Sequence, residues 1–280
     1  MIFTARRRGS SSTIDRGMDQ SFDVFRARRR QLTIVLLIIA AVVLGASIVT
    51  QFSFSDAAFP IPKALRWLVS NLIPDAKALR KLPEILTKLM QTVVVSVMAT
   101  VLATVCAFFF AVLGSNATRP HPVFSLVARA IGSVFRNIPV VAWAMVLLLS
   151  FGQSLLTGLL ALFCSTFGFL VRSFLETIDE TSRSSVEALH ASGATWLQMV
   201  FQAVLPSALP QVLSWMLYMV ETNIRDATIV GILTGTGIGF TFDLYYNALN
   251  YRAAGLIIVS ILVVVLLIEN TSNLIRRVIL

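Results

Sequence analysis

Uncharged apolar runs long enough to cross a bilayer alternate along this chain with short segments rich in charge, proline and glycine. The first run, Leu32 to Thr50, holds 19 uncharged residues, about 28 Å of helix, which matches a hydrocarbon core of roughly 30 Å. It predicts a first span over 32–50. Residues 51–88 break the pattern, mixing Pro60, Pro62, Pro74 and Pro83 with Lys63, Arg66, Trp67, Lys77, Arg80 and Lys81. They predict an external segment, partly interfacial helix. A second span follows over 89–113, in which Ser96, Thr100 and Thr104 satisfy their hydroxyls on the preceding turn, and Gly114 through Pro122 stop it. The 35 residues between Arg136 and Arg172 carry no formal charge. They are too long for one span, and folded at Phe151-Gly152-Gln153 they give two, over 138–151 and 154–171. A fifth span is predicted over 209–234, a Gly-rich external turn over 235–252, and a sixth span over 253–270 before a tail, 271–280. The chain is read as all-α, with six spans.

Composition excludes the competing readings. Of 280 residues, 56% are hydrophobic and 13% charged, against about 25% charged in soluble proteins. A soluble globule cannot cover its surface with so few polar groups. The net charge of +9 does not point to nucleic acid, because eight of the 23 basic residues lie in the first thirty positions, before an apolar run. Such a tail attracts anionic lipid head groups and holds its end of the helix in the cytoplasm. Counting Lys and Arg on each side of six spans gives 15 on the side of tail 1–31, loop 114–137, loop 172–208 and tail 271–280, and 7 on the other. Both termini are therefore expected in the cytoplasm. A cleaved signal peptide fits less well, since 31 residues precede the first run and no A-x-A site follows it. Cys106 and Cys164 lie inside apolar runs as packing residues.

The cytoplasmic segment 172–208 carries the most information. Glu187-Ala188-Leu189-His190-Ala191-Ser192-Gly193, continuing to Pro206, reads as two short helices with a corner. Gly193 supplies the left-handed residue that ends the first. Thr195 with Gln198 makes a capping box that opens the second, and Pro206 keeps that helix from running on unchanged. Trp196, Met199, Val200 and Val204 recur at helical spacing, so one face should be buried. Such a helix pair implies that something docks there.

At these residues the chain resembles the permease subunits of bacterial ABC importers, whose EAA loop follows the pattern E-A-A, three residues, G, nine residues, I, one residue, L-P. Glu187, Ala188, Gly193, Leu205 and Pro206 fall in register, while Leu189 and Ala203 replace the family's Ala and Ile. The runs Arg136-Asn137-Ile138-Pro139 to Ala144, Gly168 to Arg172 with Glu176, and Tyr218 to Gly239 resemble the phosphonate-type permeases specifically. Resemblance covers roughly residues 82 to 280. It implies a type I ABC importer-like permease fold and an inner-membrane location. It also implies a homodimer paired with a dimer of cytoplasmic ATPases and an external solute-binding protein, carrying phosphonate, phosphate, phosphite or a related oxyanion. In the family the loop sits in a cleft of the ATPase, which assigns ATPase coupling to Glu187, Ala188, Gly193, Trp196, Leu205 and Pro206.

The chain has no Gly-Lys dipeptide, so no P-loop can cradle a nucleotide, and ATP with Mg is left to the partner ATPase. No metal or catalytic constellation surrounds His121 or His190. Gly235-Thr236-Gly237-Ile238-Gly239 follows a hydrophobic helix rather than a strand and is not a dinucleotide loop. Gly231, Gly235, Gly237 and Gly239 are read either as a close helix contact or as a flexible turn that gates. Glu221, Arg225 and Asp226 stand inside the fifth span, each costing about 2.5–3.5 kcal/mol at a bilayer centre, and must face the bundle or water. Glu221 and Arg225 can pair at i, i+4. Alternatively Arg225, with Asn223, Glu221 and Arg136, borders the path of an oxyanion, whose geometry a guanidinium fork matches. A permease for another small solute such as methionine, an ion-coupled secondary transporter, and a scaffold that merely anchors an ATPase remain as competitors.

Overall fold

The computed structural model describes residues 12–50 and 61–279, and no strand occurs among them. Residues 1–11 of the basic tail and 51–60 of the external segment lie outside the described residues. The chain forms two units, residues 1–67 and 68–280. In the first, α1 (Ser12–Val49) runs from the basic tail through the first predicted span without a break, and its part from Arg28 to Val49 is long and apolar enough to cross a membrane. The amphipathic α2 (Ile61–Leu72) begins in this unit and ends in the next.

The second unit holds α3 (Ala76–Leu79), α4 (Leu82–Gly114), α5 (Pro122–Asn137), α6 (Val140–Phe151), α7 (Leu155–Thr181) and α8 (Arg183–Ala191). It continues with α9 (Trp196–Met199), a π-helical turn (Val200–Val204), α10 (Leu205–Thr234), α11 (Gly237–Asn247) and α12 (Tyr251–Ile279). The pair α4 and α7 is central; α5, α6 and α10 pack on α7, and α11 and α12 on α4 and α10. Ala103, Ala107 and Ala111 recur every turn along α4 and are buried, which leaves room for Leu170, Phe174 and Ile178 of α7. A second cluster at the opposite end gathers Ile85, Leu89, Ile238 and Ile257. Large apolar residues such as Val101, Val105 and Phe109 of α4 point outward, whereas Thr92, Ser96 and Thr100 of the same helix point in. That inversion of a water-soluble pattern suits hydrocarbon solvent, where unsatisfied polar groups cannot be left facing out.

Five helical stretches are long and apolar enough to cross, and α5 with α6 forms a sixth candidate bent by 90°. The span predicted over 138–151 corresponds to one arm of this bent pair, since α6 has 12 residues, about 18 Å. The break is set locally, because Pro139 disfavours helical geometry at Ile138 and offers no N–H of its own. It is held by Trp143, which stacks on Phe135 at 5.1 Å and donates from Nε1 to the Phe135 carbonyl at 3.4 Å. A methyl group at Gly168 would strike the backbone of Phe135 and Arg136, so the break lies against the middle of α7. Irregular backbone at that depth needs protein or a watery cavity around it.

Other boundaries differ by whole turns. The second apolar helix starts at Leu82 rather than 89, and α7 extends to Thr181, past the predicted end at 171 before formal charge returns at Arg172. Residues 235–252, which their glycines mark as a turn, hold α11. Only Gly235 and Gly237 among those glycines take positive φ, at +67° and +63°. The reversal needs two residues, and the remaining sequence is helix-competent.

Candidate functional site

The loop between α7 and α10 folds as the spacing predicts. The Ala194 N–H donates to the Leu189 carbonyl and the Gly193 N–H to that of His190, both at 3.1 Å, which closes α8 in a Schellman motif with Gly193 at φ +81°. Thr195 and Gln198 form the capping box of α9, with the Thr195 N–H donating to Gln198 Oε1 at 2.8 Å. Pro206 does not end the helix. The chain passes from α9 into α10 through the π turn, where the Leu205 N–H donates to Val200 O, and this widening accommodates a residue with no N–H to give.

One face of the loop is sealed into the main cluster, with Val186, Val200, Ala203 and Val204 buried and Leu189, Trp196 and Met199 packed on them. The other face exposes Glu187, Ala188, Gly193, Leu197 and Phe201, and Glu187 pairs with Arg183 at 3.1 Å on that surface. Leu205 is half-buried and Pro206 exposed. The two departures from the family pattern both point inward. Leu189 adds volume and Ala203 removes it within one cluster, so the outward face is left unaltered. Leu197 and Phe201, four residues apart and exposed, are not marked by sequence spacing, because they continue the same apolar stretch that supplies the buried stripe.

In mid-bundle a polar seam joins four helices. Asn223 of α10 is 1% exposed, and its amide donates to Thr100 of α4 at 2.8 Å and to Thr166 of α7 at 2.7 Å. Ser96 donates to the Asn223 carbonyl at 3.1 Å, and Thr92 accepts from the Ile238 N–H of α11 at 2.9 Å. The hydroxyls at 92, 96 and 100 do bond the preceding turn, but each also reaches a second helix, which single-helix spacing cannot reveal. Asn223 thus sits inside the bundle while Arg225 faces outward, half exposed, and donates to Glu221 one turn back. Arg136 ends α5 at the break, exposed. No hydrogen bond or ion pair joins it to Arg225, Glu221 or Asn223. The neighbouring Asp226 is partly buried and has no hydrogen-bond or ion-pair partner among the described residues.

The glycines meet where α10 turns back as α11. Gly235 caps α10, and the Thr236 N–H donates to the Gly231 carbonyl at 3.0 Å. A methyl group on Gly239 would enter the Thr228 carbonyl, and one on Gly231 would lie 3.4 Å from Gly239 Cα, so the two helices touch through backbone. Gly237 lies under Thr92.

Beside the loop, Asp179 of α7 accepts from the Ser115 hydroxyl at 2.6 Å, the Asn116 N–H at 2.7 Å, Asn116 Nδ2 at 2.9 Å and Arg129 at 3.1 Å. No sequence signal marks it, because its partners lie about fifty or more positions away.

The sequence profile of the binding-protein-dependent transport system inner membrane components matches residues 103–278. The phosphate-import permease protein of Mycolicibacterium smegmatis is 31% identical over 193 residues, covering 69% of this chain and 36% of that one. The chain thus spans about a third of that relative's length. The phosphite transport system permease protein of Stutzerimonas stutzeri is 28% identical over 248 residues, 89% of each chain. Among solved structures, an amino acid ABC transporter crystallised with histidines has a TM-score of 0.60 at 17% identity, over 71% of this chain and 95% of that one. That likeness concerns the fold. With the profile spanning α4 to α12, the chain belongs to the inner membrane components of binding-protein-dependent transport systems.

Proposed function

We propose that the chain is the translocating subunit of an ATP-driven importer of phosphonate or a related phosphorus oxyanion, phosphate or phosphite, in the bacterial cytoplasmic membrane with both termini inside. Two copies form the path. A dimer of cytoplasmic ATPases binds and hydrolyses ATP with Mg, and an external solute-binding protein delivers the anion. The reading rests on one observation above the rest: an ordered helix pair whose outward face presents Glu187, Ala188, Gly193, Leu197 and Phe201 while its inward face is locked into the bundle core. Leu197 and Phe201 are large apolar side chains exposed on that outward face, and they fit a partner's groove. Closure of the ATPases on ATP moves the loops, which shifts the bundle between outward-open and inward-open states.

The substrate class is supported by the phosphonate-type runs in the sequence and by the two relatives, named for phosphate and phosphite. In this reading Arg225, steadied by Glu221, and Arg136 at the helix break border the path, and Asn223 holds the wall behind them. Membrane depth and broken helices are where transporters place such groups. Selectivity stays with the binding protein, so the path releases the anion readily. The test is uptake of labelled phosphonate, phosphate and phosphite by cells carrying the ATPase and binding protein. Uptake by Arg225→Lys should fall severalfold with membrane levels unchanged, and wild-type uptake removes Arg225 from the path. An ion-coupled carrier built on Glu221, Arg225 and Asp226 predicts instead full uptake without the ATPase.

A further inference from the structure

The turn that follows α4 is gripped from two sides. Asp179 Oδ1 takes the Ser115 hydroxyl and the Asn116 N–H, and Oδ2 takes Asn116 Nδ2 and Arg129 of α5. All of these partners are donors, so the carboxylate cannot be replaced by a carboxamide without setting one NH2 against N–H groups. Within the turn, the Arg119 N–H returns to the Ser115 carbonyl at 2.9 Å, and the Thr118 hydroxyl donates to Val112 O in the last turn of α4. From the other side, Trp196 of α9 donates from Nε1 to the Thr118 carbonyl at 2.7 Å, across 78 positions of sequence. Ser115 and Thr118 are buried. Up the same helix, Ala111, Ala107 and Ala103 pack in the main cluster, and Thr100 then reaches Asn223.

We infer that the turn Ser115–Thr118 is the link by which movement of the 183–204 loop reaches α4 and the polar seam, and that Asp179 is its positioning residue. The inference rests on the loop being the seat of the ATPase. Trp196 pulls on the turn, while Asp179 fixes the turn to α7 and α5, so a displacement of α9 moves α4, α5 and α7 together rather than bending the turn alone. Without the carboxylate the turn yields, and the loop moves without the spans.

The test uses vesicles containing the full chain with its ATPase and binding protein, in which ATP hydrolysis and import of labelled phosphate or phosphonate are measured together for wild type, Asp179→Asn, Trp196→Phe and the double variant. Trp196→Phe keeps an aromatic ring against the cluster and removes the donor with the volume of the five-membered ring, so it tests the link by a second route even if Asp179→Asn does not fold. Hydrogen bonds to a charged group support an effect of about tenfold. The ATP hydrolysed per anion imported should rise by about that factor in Asp179→Asn and less in Trp196→Phe. The double variant should be no worse than Asp179→Asn, because both act through one turn. A proportional fall of hydrolysis and import, or additive effects in the double variant, overturns the link while leaving the loop's role standing. Wild-type import that is indifferent to the ATPase overturns the reading of the loop and the link with it.

Discussion

Replacing Asn223 by Ala separates its two possible roles. The substitution removes two donated bonds, to Thr100 and Thr166, from a site 1% exposed to solvent. Thr100 keeps a partner, since its own hydroxyl donates to the Ser96 carbonyl at 2.8 Å. Thr166 keeps none among the described residues, because its hydroxyl pairs only with the Asn223 side chain. Inter-helix hydrogen bonds in membranes average about 0.6 kcal/mol and reach about 1.7. Two lost bonds and one orphaned hydroxyl therefore amount to about 1–3 kcal/mol. At about 2–4 °C per kcal/mol for a domain of this size, the thermal midpoint of the purified chain should fall by roughly 3–10 °C. Adding Thr166→Val to Asn223→Ala removes the orphan and should recover part of the loss. An unchanged midpoint, together with altered preference among anions, would refute the clamp and return Asn223 to the path.

Gly168→Ala pushes a methyl group into the backbone of Phe135 and Arg136 and should destabilise the chain by about 1–3 kcal/mol, read as a lower thermal midpoint; a wild-type midpoint means the helix break does not rest on α7. At Gly193 a methyl group would meet nothing within 4 Å, so the penalty is the left-handed backbone alone, about 1–2 kcal/mol for Ala and less for Asn. ATPase co-purification should then rank Gly, Asn, Ala, and equal recovery of all three contradicts the Schellman corner. Asp75 caps α3, and its carboxyl is held below the usual range first by the Ala78 N–H and then by Arg252. Because the folded-state pKa is lowered, this contribution is present at neutral pH and is lost only as pH falls below about 4 through the lowered pKa. Amide exchange at Ala78 should accelerate there in wild type and be insensitive to pH in Asp75→Asn, once intrinsic rates are divided out.

The sequence discloses features governed by nearest neighbours along the chain. The corner at Gly193 and the capping box at Thr195 appear where spacing puts them, and α4, α7 and α12 contain their predicted spans but run past them. It leaves alternatives open where one residue type carries two meanings. Pro206 marks a change in the helix, which the structure makes as a π turn; the glycines from 231 to 239 fit a turn or a close contact and serve both, Gly235 and Gly237 turning the chain while Gly231 and Gly239 bring two helices together. Contacts across long separations are invisible in it. Asp179 with Ser115, Trp196 with Thr118 and Asn223 with Thr100 lie 64, 78 and 123 positions apart, and no periodicity in one helix encodes them. The bent pair α5 and α6 is illegible for a different reason. An uncharged run signals membrane and Pro139 permits a break, but the close approach of Gly168 to Phe135 and Arg136 that seats this break comes from another helix.

The central claim, that ATP-driven movement enters through the 183–204 loop, is met most directly by uptake of labelled phosphonate and phosphate in cells with and without the partner ATPase, for wild type and Gly193→Pro. Proline cannot adopt φ near +81° and has no N–H for the His190 carbonyl, so the corner is lost while the spans are untouched. The account predicts uptake that requires the ATPase and disappears in Gly193→Pro at unchanged membrane levels. Uptake that persists without the ATPase, or in Gly193→Pro, contradicts it.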